Sequence, residues 1–235
     1  MAEIEYVGDE LDLFAGVKAW KSYWSGWVRP YIIGDVLEVG AGIGTNTALL
    51  DQGPRGRWVC LEPDPQLAAR MTAHIQQDAS ARVYESVCGT LSDLEPSERF
   101  DTIIYIDVLE HIEHDREELQ AAANRLRPRG RIIVLSPAHQ RLYTPFDKAI
   151  GHFRRYSRQM LRVISPSGAR IEELVYLDSA GLLASATNAM FLKQSMPTRE
   201  QLQIWDKWLV PVSRVMDKYL GHHVGKSVIA IWRKE

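Results

Sequence analysis

Cysteine is scarce: Cys60 and Cys88 are the only two in 235 residues. Each sits in or next to an apolar run, so both read as reduced core residues rather than a disulfide or a metal site. Long apolar runs are lacking as well, and none approaches the roughly 18 residues that a membrane-spanning helix needs. Nor is there an excess of either charge, since 28 Lys and Arg stand against 30 Asp and Glu spread along the chain. That balance removes nucleic acid as the default partner. The acidic start, Met1 to Glu5, lacks the basic-then-apolar order of a signal peptide. Internal repeats and low-complexity linkers are missing too. The expectation is a globular chain of a reducing, cytoplasmic compartment, with no membrane span and length enough for one sizeable core.

What is present starts with aromatics. Tyr6, Phe14, Trp20, Tyr23, Trp24 and Trp27 crowd the first thirty residues. Leu11, Phe14, Val17, Trp20 and Trp24 recur at helical spacing, and Pro30 ends the segment. Alternation follows. Strands are expected at Val36–Val39, Trp58–Leu61, Arg82–Val87, Phe100–Ile106 and Arg131–Ser136. Helices are expected between them at Thr45–Gln52, Pro65–Gln77 (with Leu67, Met71 and Ile75 on one face) and Glu113–Leu126. Strands separated by helices of this length imply βαβ units and a mostly parallel sheet. A helix at Ser157–Ile164 and strands at Ala169–Leu177 and Ser227–Trp232 complete the pattern. The chain is read as a single α/β domain: a helical N-terminal cap over 1–30, a core over 31–178 and 225–235, and an insertion over 179–224. The insertion is helical over about 179–220, rich in apolar residues such as Leu182, Met190, Phe191, Trp205 and Trp208, and caps the site.

The chemistry is carried by Glu38-Val39-Gly40-Ala41-Gly42-Ile43-Gly44, which follows a strand and opens a helix. Glycines there let the backbone turn tightly and approach a ligand, and N–H groups at a helix start face a ligand's polar groups. A dinucleotide fingerprint needs a third glycine where Thr45 stands, and no Gly-Lys-Ser/Thr follows to make a phosphate loop. Those two details argue against a nicotinamide-dependent oxidoreductase and a nucleotide triphosphatase. Glu62 ends the next strand, 24 residues after Glu38, where a carboxylate can accept both ribose hydroxyls of a nucleoside.

In combination and in order, these segments resemble the class I S-adenosylmethionine (SAM)-dependent methyltransferases. The matching stretches are Val36–Gly44, Leu61-Glu62-Pro63-Asp64, Phe100–Ile104, Asp107-Val108-Leu109-Glu110-His111-Ile112 and Leu126–Arg131, which together cover roughly residues 30 to 140. The resemblance implies a Rossmann-like, doubly wound sheet of seven strands with the last antiparallel. It implies SAM as cofactor and S-adenosylhomocysteine as product. It places Glu38, Gly40, Ala41, Gly42 and Gly44 around the methionine end, Glu62 and Pro63 at the ribose, and Asp107 and Val108 beside the sulfonium arm. Many relatives carry an acid after the third strand for the adenine amino group. Here Gly89-Thr90-Leu91 stands there, with Asp93 slightly later, so backbone groups of Thr90 and Leu91 are expected to serve. A looser similarity of Tyr143–Asp147 and Gly151–Ser157 is to a branch found among sugar and secondary-metabolite pathways, which also sets an aromatic near Trp20 and a base near Lys21 against the cofactor.

The acceptor side is less defined. His111, His139 and His152 are candidate general bases, with Tyr156 a fourth. Tyr143, Arg154 and Arg155 are candidate substrate-binding residues, the arginines as a fork for a carboxylate or phosphate or as anchors of an ion-paired loop. Asp107 reads as a helix N-cap as well as a ligand contact. His111 and His114 stand three apart on one helix face, but no further ligand at suitable spacing joins them, so no metal is expected. The expected activity is methyl transfer to an O, N or C atom of a small molecule, by a monomer or homodimer. A sugar or lipid-linked sugar is the alternative acceptor, with tRNA or protein behind it, because Arg154-Arg155 is thin support for a basic groove.

Overall fold

The computed structural model describes residues 16–51, 56–77, 84–187 and 198–235. Among them seven strands form one sheet: β1 (Val36–Val39), β2 (Trp58–Glu62), β3 (Glu85–Cys88), β4 (Phe100–Ile106), β5 (Leu126–Pro137), β6 (Ala169–Leu177) and β7 (Ser227–Lys234). Their order is β3-β2-β1-β4-β5-β7-β6, parallel except that β7 runs antiparallel to both β5 and β6. This is the expected α/β architecture. The order reverses between β1 and β4, so the turns leaving these two strands diverge and open a crevice at their carboxyl ends.

The central strands are buried on both faces, as their continuous apolar runs require. All residues of β1 and β2 are buried. Side chains alternate between two cores. Leu37, Val39, Val59, Leu61, Ile103, Tyr105, Ile132 and Val134 share one, while Val36, Trp58, Cys60, Ile104, Ile133 and Ile231 share the other. The first core is closed by α4 (Asp115–Asn124) through Leu119, Ala122 and Ala123, and by Leu161 of α6 (Arg158–Val163). Cys60 is buried and reduced; Cys88 is also free but exposed.

The second core is closed by α1 (Ala19–Val28) and by the helices between β6 and β7. These are α7 (Ser179–Thr187), α8 (Arg199–Ile204), a π-helical turn over Trp205–Leu209, and α9 (Val210–Tyr219). Leu202, Trp205 and Val210 turn inward beside Trp20, Trp24 and Val28 of α1. The opposite face, with Ile204, Trp208, Val212 and Val215, is exposed. Pro211 follows the π turn and has no N–H to give it. The Asp206 carboxylate in that turn accepts the N–H groups of Lys18, Ala19 and Trp20 at 3.0, 3.1 and 2.8 Å. It therefore caps α1 from 186 residues away, satisfying donors that a helix start leaves orphaned.

The structure alters several expected boundaries. The helix after the glycine loop, α2, spans only Thr47–Leu50. The helix after β4 is Asp115–Asn124, and β5 begins directly at Leu126. Pro128-Arg129-Gly130, expected as a break between helix and strand, lies inside β5. There Leu126 pairs with Phe100, the chain bulges outward, and pairing resumes at Arg131 with Thr102. Arg129 takes φ of 65° in that bulge. The strand expected from Arg82 is described from Glu85, and the helical spacing of Leu11 and Phe14 and the residues Met190 and Phe191 lie outside the described residues. No helix among the described residues is long and apolar enough to cross a membrane.

Candidate active site

A cavity of about 1410 Å3 occupies the crevice above β1 and β4. One half is built on the glycine loop. Gly40, Gly42 and Gly44 have φ of 64°, 58° and 78°, a region that residues with a Cβ avoid. The N–H groups of Gly40 and Ala41 donate to the Leu61 carbonyl at 2.7 and 3.1 Å, tying the loop to the end of β2. An alanine Cβ at Gly40 would lie 2.6 Å from Val108 Cγ2. Valine is stiff and cannot swing away. Gly40→Ala is therefore expected to cost about 1–3 kcal/mol of stability and to weaken SAM binding about tenfold or more. Thermal unfolding and calorimetric titration measure the two effects.

Glu62 stands at the end of β2 on the cavity wall. Its Oε2 accepts the Gly42 N–H at 2.8 Å and its Oε1 the Asp64 N–H at 3.0 Å. Burial pushes its carboxyl pKa up, against those two hydrogen bonds. Asp64 in turn caps α3 (Pro65–Gln77) through the N–H groups of Gln66 and Leu67. Thr90 and Leu91 line the same end. Asp93 does not serve as an adenine acid: its carboxylate is turned back onto the N–H and hydroxyl of Thr90, at 2.7 and 2.8 Å.

Glu38, expected at the methionine end, lies behind the loop rather than among the residues that line the cavity. It is 3% exposed, and its Oε2 accepts Thr47 Oγ1–H at 2.8 Å and Trp58 Nε1–H at 3.1 Å. Glu38 lies on the second-core face of β1, paired in register with Cys60 and so one step below the strand ends that border the cavity. Gly44 likewise folds back, giving its N–H to the Ala41 carbonyl. Burial raises the Glu38 pKa to about 7 from 4.5, the two hydrogen bonds opposing it. A raised folded-state pKa means stability that is full below pH 4.5 and lost as pH rises through about 7. At about 1.4 kcal/mol per unit this amounts to about 3–4 kcal/mol at most. Glu38→Gln is expected to flatten the fall in Tm between pH 5 and pH 8, as thermal melts at both values will record.

Asp107 ends β4 with φ of 54° and gives its N–H to the Leu135 carbonyl at 2.8 Å. It does not cap a helix; a 3-10 turn, Leu109–His111, follows it. Its carboxyl faces the cavity, where desolvation raises its pKa to about 6 against the neighbouring side chains of His152, Lys226 and Lys21. Lys21 donates from Nζ to Thr45 Oγ1 at 3.2 Å. Trp20 lies against Trp205, with ring centroids 5.8 Å apart, and both line the cavity.

The other half of the cavity is closed by the loop after β5. Thr144 and Asp147 cap the short helix α5 (Pro145–Ala149) reciprocally. The Tyr143 hydroxyl donates to the His152 carbonyl at 2.6 Å. Phe153 N–H donates to the Glu110 carbonyl at 2.8 Å. These bonds press the loop onto the turn after β4 and bring His152 to His111, their rings edge to face at 4.5 Å. Arg155 holds Asp147 with a fork, Nε to Oδ1 at 2.7 Å and Nη2 to Oδ2 at 2.8 Å. Burial works against the charge of Asp147, but His152 and Arg155 keep its carboxyl well below the usual carboxylate range. Burial lowers the His111 pKa to about 4, so its ring is uncharged near neutrality.

Of the four candidate bases, His111 and His152 line the cavity and the other two do not. His139 bonds the Gly225 carbonyl at 2.9 Å and stacks on Tyr176, because its φ of 66° turns it off the crevice. Tyr156 is fully buried and donates to Asp115 at 2.8 Å. Arg154 also turns away, pairing with Asp115 at 2.6 Å. Lys226 and Glu110 are among the cavity residues that the sequence pattern does not single out; Lys226 lies 4.9 Å from the Trp205 ring centre. A lone lysine between two elements carries no sequence signal.

Comparison with known proteins agrees with this geometry. Residues 37–132 match the model of the methyltransferase domain family. A ubiquinone biosynthesis O-methyltransferase from Bradyrhizobium diazoefficiens is 28% identical over 99 residues, which cover 42% of this chain and 38% of that protein. This chain thus aligns with well under half the length of that relative. Among solved structures, the N-methyltransferase NodS from Bradyrhizobium japonicum in complex with S-adenosylhomocysteine superposes with a TM-score of 0.61 at 14% identity, over 97% of this chain and 93% of that one. A complex of a putative methyltransferase with its Trm112 activator from Haloferax volcanii gives 0.61 at 16% identity, over 97% and 99%. Residues 37–132 thus match a methyltransferase domain, and the seven-stranded sheet that holds them has the fold of the class I SAM-dependent methyltransferases. SAM is the chain's cofactor, and the glycine-loop half, with its open backbone cradle and the Glu62 carboxylate, has the donor and acceptor set to hold it.

Proposed function

We propose that the chain methylates a small molecule bound in the cap-side half of the cavity. The observation that carries this reading is the size and division of that cavity. At about 1410 Å3 it exceeds the roughly 300–1,000 Å3 of a typical small-ligand pocket, leaving room for an acceptor beside the cofactor. Its far half is walled by Trp20, Trp205, Tyr143 and Phe146, which suits a flat, partly apolar acceptor of the secondary-metabolite kind. A sugar or lipid-linked sugar is the second reading, favoured by the carboxylates Asp107, Glu110 and Asp147 on the same wall.

The protein's work is alignment. When bound, SAM supplies the electrophilic methyl group on a sulfonium. Glu62 holds the ribose end, and the glycine loop receives the amino-acid arm. Asp107 places a carboxylate beside the sulfonium arm. Trp20, Trp24 and Trp205 exclude water, so that charge at the reacting centre is not screened. The acceptor's reacting atom stands against His111 and His152. Fixing it within reach of the methyl carbon supplies much of the rate. The O-methyltransferase named among the relatives supports an oxygen acceptor.

Calorimetric titration with SAM, S-adenosylhomocysteine and NAD tests the cofactor half: micromolar binding of the first two and none of NAD is expected. Transfer of labelled methyl from SAM to panels of phenols, amines and sugars tests the acceptor half. Transfer confined to protein or tRNA would overturn the reading.

A further inference from the structure

Glu110, His111 and His152 form a cluster that neither the cofactor nor the fold requires. One carboxylate oxygen and one ring nitrogen from each histidine all lie within 4.8 Å of one another, on the cavity wall. We propose that these three side chains bind a divalent transition-metal ion that holds an oxygen of the acceptor.

Two observations carry it. First, Glu110 is fully buried and only half satisfied: its Oε2 accepts Ser136 Oγ–H at 2.9 Å, while Oε1 has no hydrogen-bond partner. A bare carboxylate oxygen in the interior is costly unless a cation meets it. Oε1 points at His152 Nε2, 3.9 Å away, too far for a hydrogen bond and spaced for a shared ion. Second, His152 Nδ1 lies 3.0 Å from Asp147 Oδ1. A carboxylate accepting from one ring nitrogen fixes the tautomer and leaves Nε2 as the lone-pair donor, which is how metal-binding histidines are oriented. Asp147 is itself locked by Arg155 and Thr144. Two imidazoles and one carboxylate suit zinc, iron, cobalt, nickel or manganese better than calcium or magnesium. Protein ligands number three, which leaves positions for an acceptor oxygen.

This inference rests on the cap-side half being the acceptor site. Activation would come from the ion's charge lowering the pKa of a bound hydroxyl, rather than from proton transfer to an imidazole. The sequence expectation of no metal followed from pairing His111 with His114. The partner is instead His152, brought in by a loop 41 residues downstream.

The test uses the full chain stripped with a chelator, saturated with S-adenosylhomocysteine, and titrated with Co2+ as a visible probe and with Mn2+ and Zn2+ by calorimetry. One equivalent of Co2+ should bind and develop a ligand-field spectrum. His152→Ala should weaken binding about 100-fold with S-adenosylhomocysteine affinity and thermal unfolding close to those of the parent; Asp147→Asn should weaken it about 10- to 100-fold with S-adenosylhomocysteine affinity kept, and should melt lower because Arg155 loses its counter-charge. Failure of all three ions to bind at millimolar concentration, or equal binding by His152→Ala, overturns the proposal. Ion binding that depends on His152 in a chain that methylates no small acceptor keeps the ion site and overturns the acceptor reading.

Discussion

Replacing Glu62 by alanine is expected to weaken SAM binding by about 1–3 kcal/mol, a rise in Kd of roughly 5- to 150-fold. The loss has two sources. The ribose hydroxyls lose a carboxylate partner in a water-poor site. The glycine loop loses an anchor too, because Glu62 Oε2 accepts the Gly42 N–H and Oε1 the Asp64 N–H. Burial raises the carboxyl pKa in the free protein, and ribose hydroxyl donors would favour its charged form. SAM affinity should consequently fall as pH drops into the carboxylate range, and this dependence should vanish in Glu62→Gln. Calorimetry across pH, with S-adenosylhomocysteine as a second ligand, reads both effects. Unchanged affinity in Glu62→Ala would remove the cofactor from the place assigned to it.

The largest expected effect on stability is at Asp178, the first residue after β6. It is fully buried with φ of 70°. Its Oδ2 accepts Trp205 Nε1–H at 2.8 Å, and its Oδ1 accepts Ser213 Oγ–H at 2.6 Å and Gly181 N–H at 3.0 Å. These bonds fasten the π turn, α9 and α7 to the end of β6. Asp217 completes the junction, accepting the N–H groups of Asp178 and Ser179 and the hydroxyl of Tyr23 on α1. Asp178→Ala would strand three buried donors at about 1–3 kcal/mol each. With partial relaxation, about 3–5 kcal/mol is expected, or a fall in Tm of about 6–20 °C for a chain of this size. Asp178→Asn keeps the shape and tolerates the backbone angle, so it should lose less. A Tm of Asp178→Ala within about 2 °C of the parent would show that the cap is not held at this point.

The sheet was legible because buried parallel strands leave a strong record. Val36–Val39 and Phe100–Ile106 are apolar, β-branched or aromatic and end in turn residues, so local composition locates them. The glycine loop was legible for the same kind of reason: positive φ at Gly40, Gly42 and Gly44 restricts those positions to one residue type. Glu62 could be placed because it ends a strand, and the sheet carries strand ends to one edge.

Other roles are set by direction and distance, which a sequence does not carry. Glu38 and Glu62 read alike, as acids at strand ends. Both lie on the second-core side of the pleat, but Glu38 sits level with Cys60, covered by Thr47 and Trp58, whereas Glu62 stands two residues further along its strand, at the cavity. Arg154 and Arg155 are neighbours, yet one pairs with Asp115 outside the cavity and the other grips Asp147 within it. The four candidate bases divide in the same way, by backbone angle and burial. By itself, then, the sequence determined the alternation of strands and helices, the cofactor loop and the class of chemistry, since these depend on residue type at local spacing. The tertiary structure alone decided which side chains meet. His111 and His152, Glu62 and Gly42, and Asp206 and the start of α1 are each brought together by chain crossings that join residues 20 to 187 positions apart.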